Sequence, residues 1–104
     1  MMEAGENTLP NTVSEIELVV RNADGLHMRP AMQFVDVANQ FSSDVKVTNG
    51  ATEVDGKSIM QMSMLAATCG TRLTVRAQGD DAQDVVSALK ELVEERHFDE
   101  PLPD

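Results

Sequence analysis

The first half of the chain changes its hydrophobic period twice. Apolar side chains alternate with polar ones at Ile16, Leu18 and Val20, which predicts a strand with one buried face that starts near residue 13. Over residues 30–41 they recur instead at three and four positions, which predicts an amphipathic helix. Alternation then returns over residues 44–54 on both sides of an Asn-Gly pair, the pattern of a β-hairpin.

The second half repeats the change of period. A short helix is predicted from Ile59 to about Thr68, ended by Gly70, and a fourth strand is predicted around residues 73–77. After it comes the strongest periodic signal of the chain, a helical stripe of six apolar residues: Ala82, Val85, Val86, Leu89, Leu92 and Val93. An aspartate just before this stripe suits the free amides of a helix N-terminus.

The predicted order is strand, helix, strand, strand, helix, strand, helix, without an internal repeat. Short connections favour antiparallel pairing, and three one-faced helices can cover one face of a four-stranded sheet, so the fold class is α+β. We expect a flexible N-terminal tail over residues 1–13, a single domain over residues 14–98 and a C-terminal tail over residues 99–104.

Composition narrows the function classes. The chain has 104 residues, with 18 acidic and 8 basic side chains and a formal net charge of −10. Such a charge repels phosphate backbones and anionic lipid, so we expect neither nucleic acid nor membrane insertion. No apolar run approaches the roughly 20 residues of a membrane span, and no secretory signal is present, which predicts a soluble intracellular protein. The single cysteine, Cys69, allows no internal disulfide and no metal-ligand spacing, so no metal or cofactor is expected.

Functional chemistry is concentrated in the segment at residues 25–31, where a turn meets a predicted helix start. His27 offers an imidazole that can act as a nucleophile, and Arg29 a permanent cation suited to phosphate oxygens. Free helix amides attract an anion at this point. Pro30 costs little there, because amides in the first turn of a helix have no partner within the helix anyway. On these grounds alone His27 can equally be a helix cap or an ordinary surface histidine.

Two separated motifs carry a resemblance to a known family. They are Gly-Leu-His-x-Arg-Pro-Ala at residues 25–31, followed by Phe34, Ala38 and Phe41, and Gly-Lys-Ser-Ile-Met at residues 56–60. Together with the element order, they resemble the histidine-containing phosphocarrier protein HPr of the phosphoenolpyruvate-dependent sugar phosphotransferase system, from about Glu15 to Phe98. The resemblance implies an open-faced β-sandwich of βαββαβα order.

The same resemblance implies a function. His27 would carry a phosphoryl group on its δ1 nitrogen, taken from the phosphohistidine of enzyme I and passed to a sugar-specific IIA domain. Arg29 would neutralise charge during transfer, and Pro30 would shape the helix start. A cytoplasmic, monomeric carrier without a cofactor is implied, rather than a stand-alone enzyme.

Ser58 has two compatible interpretations. A serine before a helical run is typical of an N-cap. In similar proteins of bacteria that possess HPr kinase/phosphorylase, the serine of this motif is phosphorylated as a regulatory mark, which adds that kinase to the partners. Gln61 stands where a glycine is common in the family, a departure that bears on how the kinase or a transcriptional partner would dock.

The second helix is rich in methionine, and its apolar residues cannot all face inward. Met60 and Met64 share one side, while Ile59, Met62 and Leu65 share another, so one set is expected to pack on the sheet and the other to be partly exposed. These side chains serve either as core filling or as an adaptable docking patch. We predict partner contacts at Met28, Lys57, Ile59 and Met60.

A second function remains open from the sequence. The chain could be an HPr-like regulatory binding module that controls a kinase or transcription factor through its phosphorylation state. The presence of both His27 and Arg29 favours the carrier. An enzyme that uses His27 with a metal or a base is less favoured, because no second histidine, cysteine or carboxylate is placed beside it in the sequence.

Overall fold

A computed structural model describes residues 12–103, so most of the predicted N-terminal tail lies outside the described residues. Four strands and three α-helices follow the predicted order: β1 Val13–Val19, α1 Met28–Ala38, β2 Asp44–Asn49, β3 Thr52–Asp55, α2 Ile59–Met62, β4 Arg72–Gln78 and α3 Ala82–Lys90. A π-helical turn, Glu91–Glu95, and a 3-10 turn, His97–Asp99, continue the chain beyond α3. None of the helices within residues 12–103 is long and apolar enough to cross a membrane.

The strands form one antiparallel sheet in the order β1-β4-β2-β3. Along each strand every second side chain points toward the helices. Leu18 of β1 lies opposite Leu73 of β4, and Val47 of β2 lies opposite Val75 of β4. All four of these side chains are buried, and Phe34 of α1 packs into the same core. The α+β prediction, with helices on one face of the sheet, is confirmed.

The last predicted helix is confirmed along its whole stripe. Its six apolar residues are buried even though the regular α-helix ends at Lys90, because the π-turn keeps Leu92 and Val93 inward. The expected aspartate cap is wrong in detail. Asp81 is the N-cap residue of α3, but its side chain caps no helix amide and instead accepts hydrogen bonds from Ser42 and Ser43.

The predicted helix over residues 59–68 is wrong in length. The α-helix ends at Met62, and Ala66 adopts a left-handed φ of 54°, which is incompatible with a right-handed α-helix. In a longer helix the carbonyl groups of this segment would accept hydrogen bonds from amides of the same helix. Here they accept from distant residues instead: the Leu65 oxygen from Asn49 Nδ2 at 2.9 Å, and the Ala67 oxygen from the amide of Leu26 at 2.8 Å. Tertiary hydrogen bonds therefore replace the helix and tie this segment to the end of β2 and to the loop that precedes α1.

Candidate functional site

The loop before α1 is held in place by backbone contacts. Gly25 has a φ of +68°, and a Cβ atom there would lie 2.6 Å from the carbonyl oxygen of Ala67, so only glycine fits. Leu26 follows with its side chain buried. The chain then reaches His27 in an extended conformation, with φ −81° and ψ −169°, as the N-cap residue of α1. The motif glycine and leucine thus fix the place where the histidine begins the helix.

The first turn of α1 has free amide groups beside His27. Pro30 has no amide hydrogen, and the amide of Ala31 donates to the carbonyl oxygen of His27 at 3.0 Å. The amides of Met28 and Arg29 therefore have no partner inside the helix. The side chain of His27 does not cap either of them. A bound anion could accept these two donors.

The imidazole of His27 is hydrogen-bonded through one ring nitrogen and partly exposed. Its Nε2 atom lies 2.8 Å from Oε1 of Glu100, and 41% of its side chain is exposed. Its Nδ1 atom has no hydrogen-bond partner among residues 12–103. One ring nitrogen is therefore occupied, and the other is available to a reacting group.

Arg29 and Asn22 bind the same carboxylate. Arg29 Nη1 is 3.5 Å from Oε2 of Glu100, yet the arginine side chain is 66% exposed, so it can reach an anion placed next to His27. The fully buried Asn22 donates from Nδ2 to Oε1 of Glu100 at 3.3 Å and to the carbonyl oxygen of Gly25 at 2.7 Å. A small polar network thereby links the loop, the histidine and the C-terminal segment.

The network favours the ionised form of Glu100. The hydrogen bond with His27 holds the pKa of this carboxyl below its usual value, and the bond from Asn22 and the charge of Arg29 act in the same direction. Partial burial opposes the change without reversing it. Glu100 is therefore an anion at neutral pH.

An open apolar groove of about 460 Å³ includes Met28, the residue after His27, in its lining. It runs between α1 and α2 and is lined by Met28, Met32, Val35, Asp36, Ile59, Met60 and Ser63. Three of the four predicted partner-binding residues, Met28, Ile59 and Met60, therefore lie on one surface. Met60 is 78% exposed, whereas Met62 is buried, which confirms that the methionine-rich helix divides between surface and core.

The fourth, Lys57, does not line the groove. Its Nζ atom donates to the carbonyl oxygen of Phe41 at 2.7 Å, just beyond α1, and the side chain is half-buried. Ser58 is the N-cap of α2, and its hydroxyl oxygen accepts from the amide of Gln61 at 3.2 Å. The N-cap prediction for Ser58 is thus confirmed, and its phosphorylation and the partner contact of Lys57 stay predictions.

Three site residues were missed by sequence reasoning. Glu100 lies beyond the predicted domain boundary at residue 98, in a region with many acidic residues, and no sequence motif distinguishes it from the others. Asn22 was interpreted only as part of a turn. Met32 could have been found, because it follows Met28 by four residues and therefore lies on the same side of a helix.

Comparison with known proteins identifies one family. Residues 14–95 match the family model described as the PTS HPr component phosphorylation site. The chain is 43% identical over 79 residues to phosphocarrier protein HPr of Haemophilus influenzae, which covers 76% of this chain and 91% of that protein. It is also 43% identical over 76 residues to the HPr-like protein Crh of Bacillus subtilis. That alignment covers 73% of this chain and 89% of Crh. The crystal structure of an HPr from Thermoanaerobacter tengcongensis superposes with a TM-score of 0.81 at 37% identity and covers 86% of this chain and 99% of that one.

Proposed function

The chain belongs to the HPr family of phosphocarrier proteins of the sugar phosphotransferase system, and we propose that it accepts a phosphoryl group from phospho-enzyme I on His27 and passes it to IIA domains. It acts as a carrier, and the partner proteins supply the rest of each transfer site. We further propose that it is a cytoplasmic monomer that binds neither nucleic acid nor the membrane.

The observation that carries this proposal is the surroundings of His27. An exposed imidazole with one free ring nitrogen stands at the N-terminus of an 11-residue helix, beside two amides without helix partners. Arg29 is close and exposed. A phosphoryl group on Nδ1 of His27 would meet both the amides and the guanidinium, the donors that stabilise its negative charge.

The proposed transfer needs little more than positioning. Phosphoryl transfer passes through a loose transition state in which the attacking and leaving atoms are in line. His27 supplies the attacking nitrogen, Arg29 and the first-turn amides stabilise the oxygens, and Pro30 fixes the backbone that presents those amides. No residue of this chain has to act as a separate acid or base.

We propose the groove between α1 and α2 as the docking surface for these partners. It adjoins the phosphorylated residue, and its exposed Met28, Met32 and Met60 are flexible apolar side chains that can repack against different proteins. Lys57 lies near the end of α1, where we propose a contact at the rim of a docked partner.

Regulation at Ser58 would act on this surface. Ser58 directly precedes Ile59 and Met60, which line the groove. A phosphate on its oxygen would add up to two negative charges that docking would have to desolvate. We therefore propose that phosphorylation of Ser58 by HPr kinase/phosphorylase weakens transfer from enzyme I. Ser58→Asp should slow phosphorylation of His27, whereas Ser58→Asn keeps a capping side chain without the charge and should not. Equal rates for the two variants would leave Ser58 as a cap alone.

The carrier function is tested by direct phosphorylation. The purified protein is incubated with enzyme I, magnesium and phosphoenolpyruvate, and its intact mass is measured under basic conditions that preserve phosphohistidine. We expect a gain of about 80 Da, one phosphoryl group, on His27, and none in a folded His27→Ala variant. A gain of the same size in that variant would refute the role of His27. Transfer to a IIA domain would then establish the second half of the cycle.

The Crh relative supports a second candidate function. The chain is as similar to the HPr-like protein Crh as to the phosphocarrier of Haemophilus influenzae, at 43% identity each. A regulatory module that controls a kinase or transcription factor through its phosphorylation state is therefore the alternative. Absence of any phosphoryl gain with the cognate enzyme I would favour it and make Ser58 the residue to test next.

A further inference from the structure

Methionine thioethers form most of the apolar lining of the groove between α1 and α2. Five of its seven lining residues are apolar, and three of these five are Met28, Met32 and Met60. Their exposed fractions are 57%, 50% and 78%. Three oxidisable sulfur atoms are therefore concentrated on the surface that we propose for partner docking.

The other two methionines of residues 12–103 lie in different surroundings. Met62 is fully buried, and Met64 is 68% exposed but does not line the groove. A thioether does not ionise, so access to an oxidant decides which methionine reacts. The structure therefore provides methionines of three kinds: exposed in the groove, exposed outside it, and buried.

The side chains of the groove offer no hydrogen-bond donor to an added polar group. Only Asp36 and Ser63 among them are polar. A carboxylate such as that of Asp36 can only accept, and the hydroxyl of Ser63 already donates to the carbonyl oxygen of Met60 at 2.7 Å. An oxygen atom attached to one of the methionine sulfurs would thus be an acceptor without a donor among these side chains.

We propose that Met28, Met32 and Met60 form an oxidation site, at which a peroxide converts the thioethers to sulfoxides and thereby weakens docking of the transfer partners. This inference rests on the proposed use of the groove as the docking surface. It adds a reversible redox control of that surface, separate from any phosphorylation of Ser58.

Each oxidation is a two-electron transfer of oxygen. A lone pair of the sulfur forms the S–O bond as the O–O bond of hydrogen peroxide breaks, and the released hydroxide takes the proton of the transferred oxygen and leaves as water. The sulfur is oxidised and the peroxide is reduced. A flexible apolar side chain becomes a polar one, and covering its oxygen with an apolar partner surface costs the desolvation of an unpaired acceptor.

The experiment uses the full chain with Cys69→Ser, which removes the exposed thiol as a second target of peroxide. A triple variant carries Met28→Leu, Met32→Leu and Met60→Leu and keeps the other methionines, whereas the matched control carries Met64→Leu alone. Each protein is treated with hydrogen peroxide, catalase removes the excess, and peptide mass spectrometry locates the sulfoxides. The apparent KM and the kcat for phosphorylation by enzyme I are then compared with those of the same protein before treatment.

We expect sulfoxides at the exposed methionines and none at Met62. After oxidation the apparent KM of the parent and of Met64→Leu should rise at least about fivefold, because a polar group must be buried on docking. Their kcat should stay unchanged, since the reacting groups at His27 are not altered. The triple variant should keep the KM of its untreated form, and methionine sulfoxide reductases should restore the KM of the parent.

An unchanged KM in the oxidised parent would overturn the inference, and so would an equal rise in the triple variant. Met60→Gln and Met60→Leu test it without an oxidant, because the amide adds a polar acceptor to the groove and the leucine does not. Met60→Gln should have the higher KM, and equal values would overturn the inference as well. An untreated parent that enzyme I does not phosphorylate would instead overturn the proposed function.

Discussion

Asp81 binds Ser43 across 38 residues of sequence. Its Oδ1 atom accepts from both the amide and the hydroxyl of Ser43, at 2.9 and 2.5 Å, and its Oδ2 atom accepts from the amide of Ser42 at 2.9 Å. The carboxylate thus joins the start of α3 to the loop that leads into β2. These hydrogen bonds, the one from the Ser43 hydroxyl above all, lower the pKa of Asp81 to about 2.

This contact predicts how stability depends on acid. A carboxyl whose pKa is lower in the folded state than in the unfolded state stabilises the fold above its unfolded value of about 4 and loses that effect as the pH falls toward its folded value. Asp81→Asn should therefore be less stable than the parent near neutral pH, and the difference should shrink between about pH 4 and about pH 2. Urea unfolding at several pH values measures it. Asp80→Asn, next to it and exposed, is the control; a difference that stays constant with pH would contradict the assignment.

Two glycines with similar backbone angles should respond differently to alanine. Gly25 and Gly50 have φ values of +68° and +61°, but a Cβ at Gly25 would meet backbone atoms of Ala67 and Thr68 within 3 Å, whereas Gly50 faces open space. We expect Gly50→Ala to cost about 1 kcal/mol and Gly25→Ala at least about 2 kcal/mol, because the latter adds a steric clash to the same backbone strain. Equal losses in chemical denaturation would show that the loop before His27 can move aside.

Arg29 should matter for transfer and little for folding. Its side chain is 66% exposed and its ion pair with Glu100 is long, at 3.5 Å. Arg29→Ala is therefore expected to change the free energy of unfolding by no more than about 0.5 kcal/mol. Phosphorylation of His27 by enzyme I should slow by at least about tenfold, because a cation that stabilises the transferred group is lost. A variant with the parent rate would remove Arg29 from the mechanism.

Substitutions at Met60 and Met62 should distinguish a role in partner docking from a role in core packing. Met62 is fully buried, so Met62→Ala should cost about 2–5 kcal/mol of stability through lost burial and a cavity. Met60 is 78% exposed and lines the groove, so Met60→Ala should leave stability within about 0.5 kcal/mol of the parent. It should instead raise the apparent KM for this protein in the enzyme I reaction. An unchanged KM would place the docking surface elsewhere.

Local patterns predicted most of the fold. The strands, the hairpin, α1 and the apolar stripe of the last helix follow from hydrophobic periods, since each period specifies one buried face. The length of α2 does not follow in this way. Leu65 is buried as a helical stripe would require, but the hydrogen bonds from Asn49 and Leu26 to this segment involve residues far away in sequence, and no local pattern contains them.

The residues of the candidate site also fall into those that the sequence indicates and those that only tertiary contacts reveal. His27, Arg29 and Pro30 were singled out as candidates from the sequence by helix-start chemistry together with the family resemblance. The cap at Ser58 was found from local chemistry alone, because capping depends on neighbours within a few residues. Glu100 was not, since 73 residues separate it from His27 and its side chain type is common throughout the C-terminal region. By itself the sequence determined the order of the elements, their buried faces and the candidate histidine. Only the tertiary structure decided which acid holds that histidine and which methionines share a groove, because both depend on how distant segments pack together.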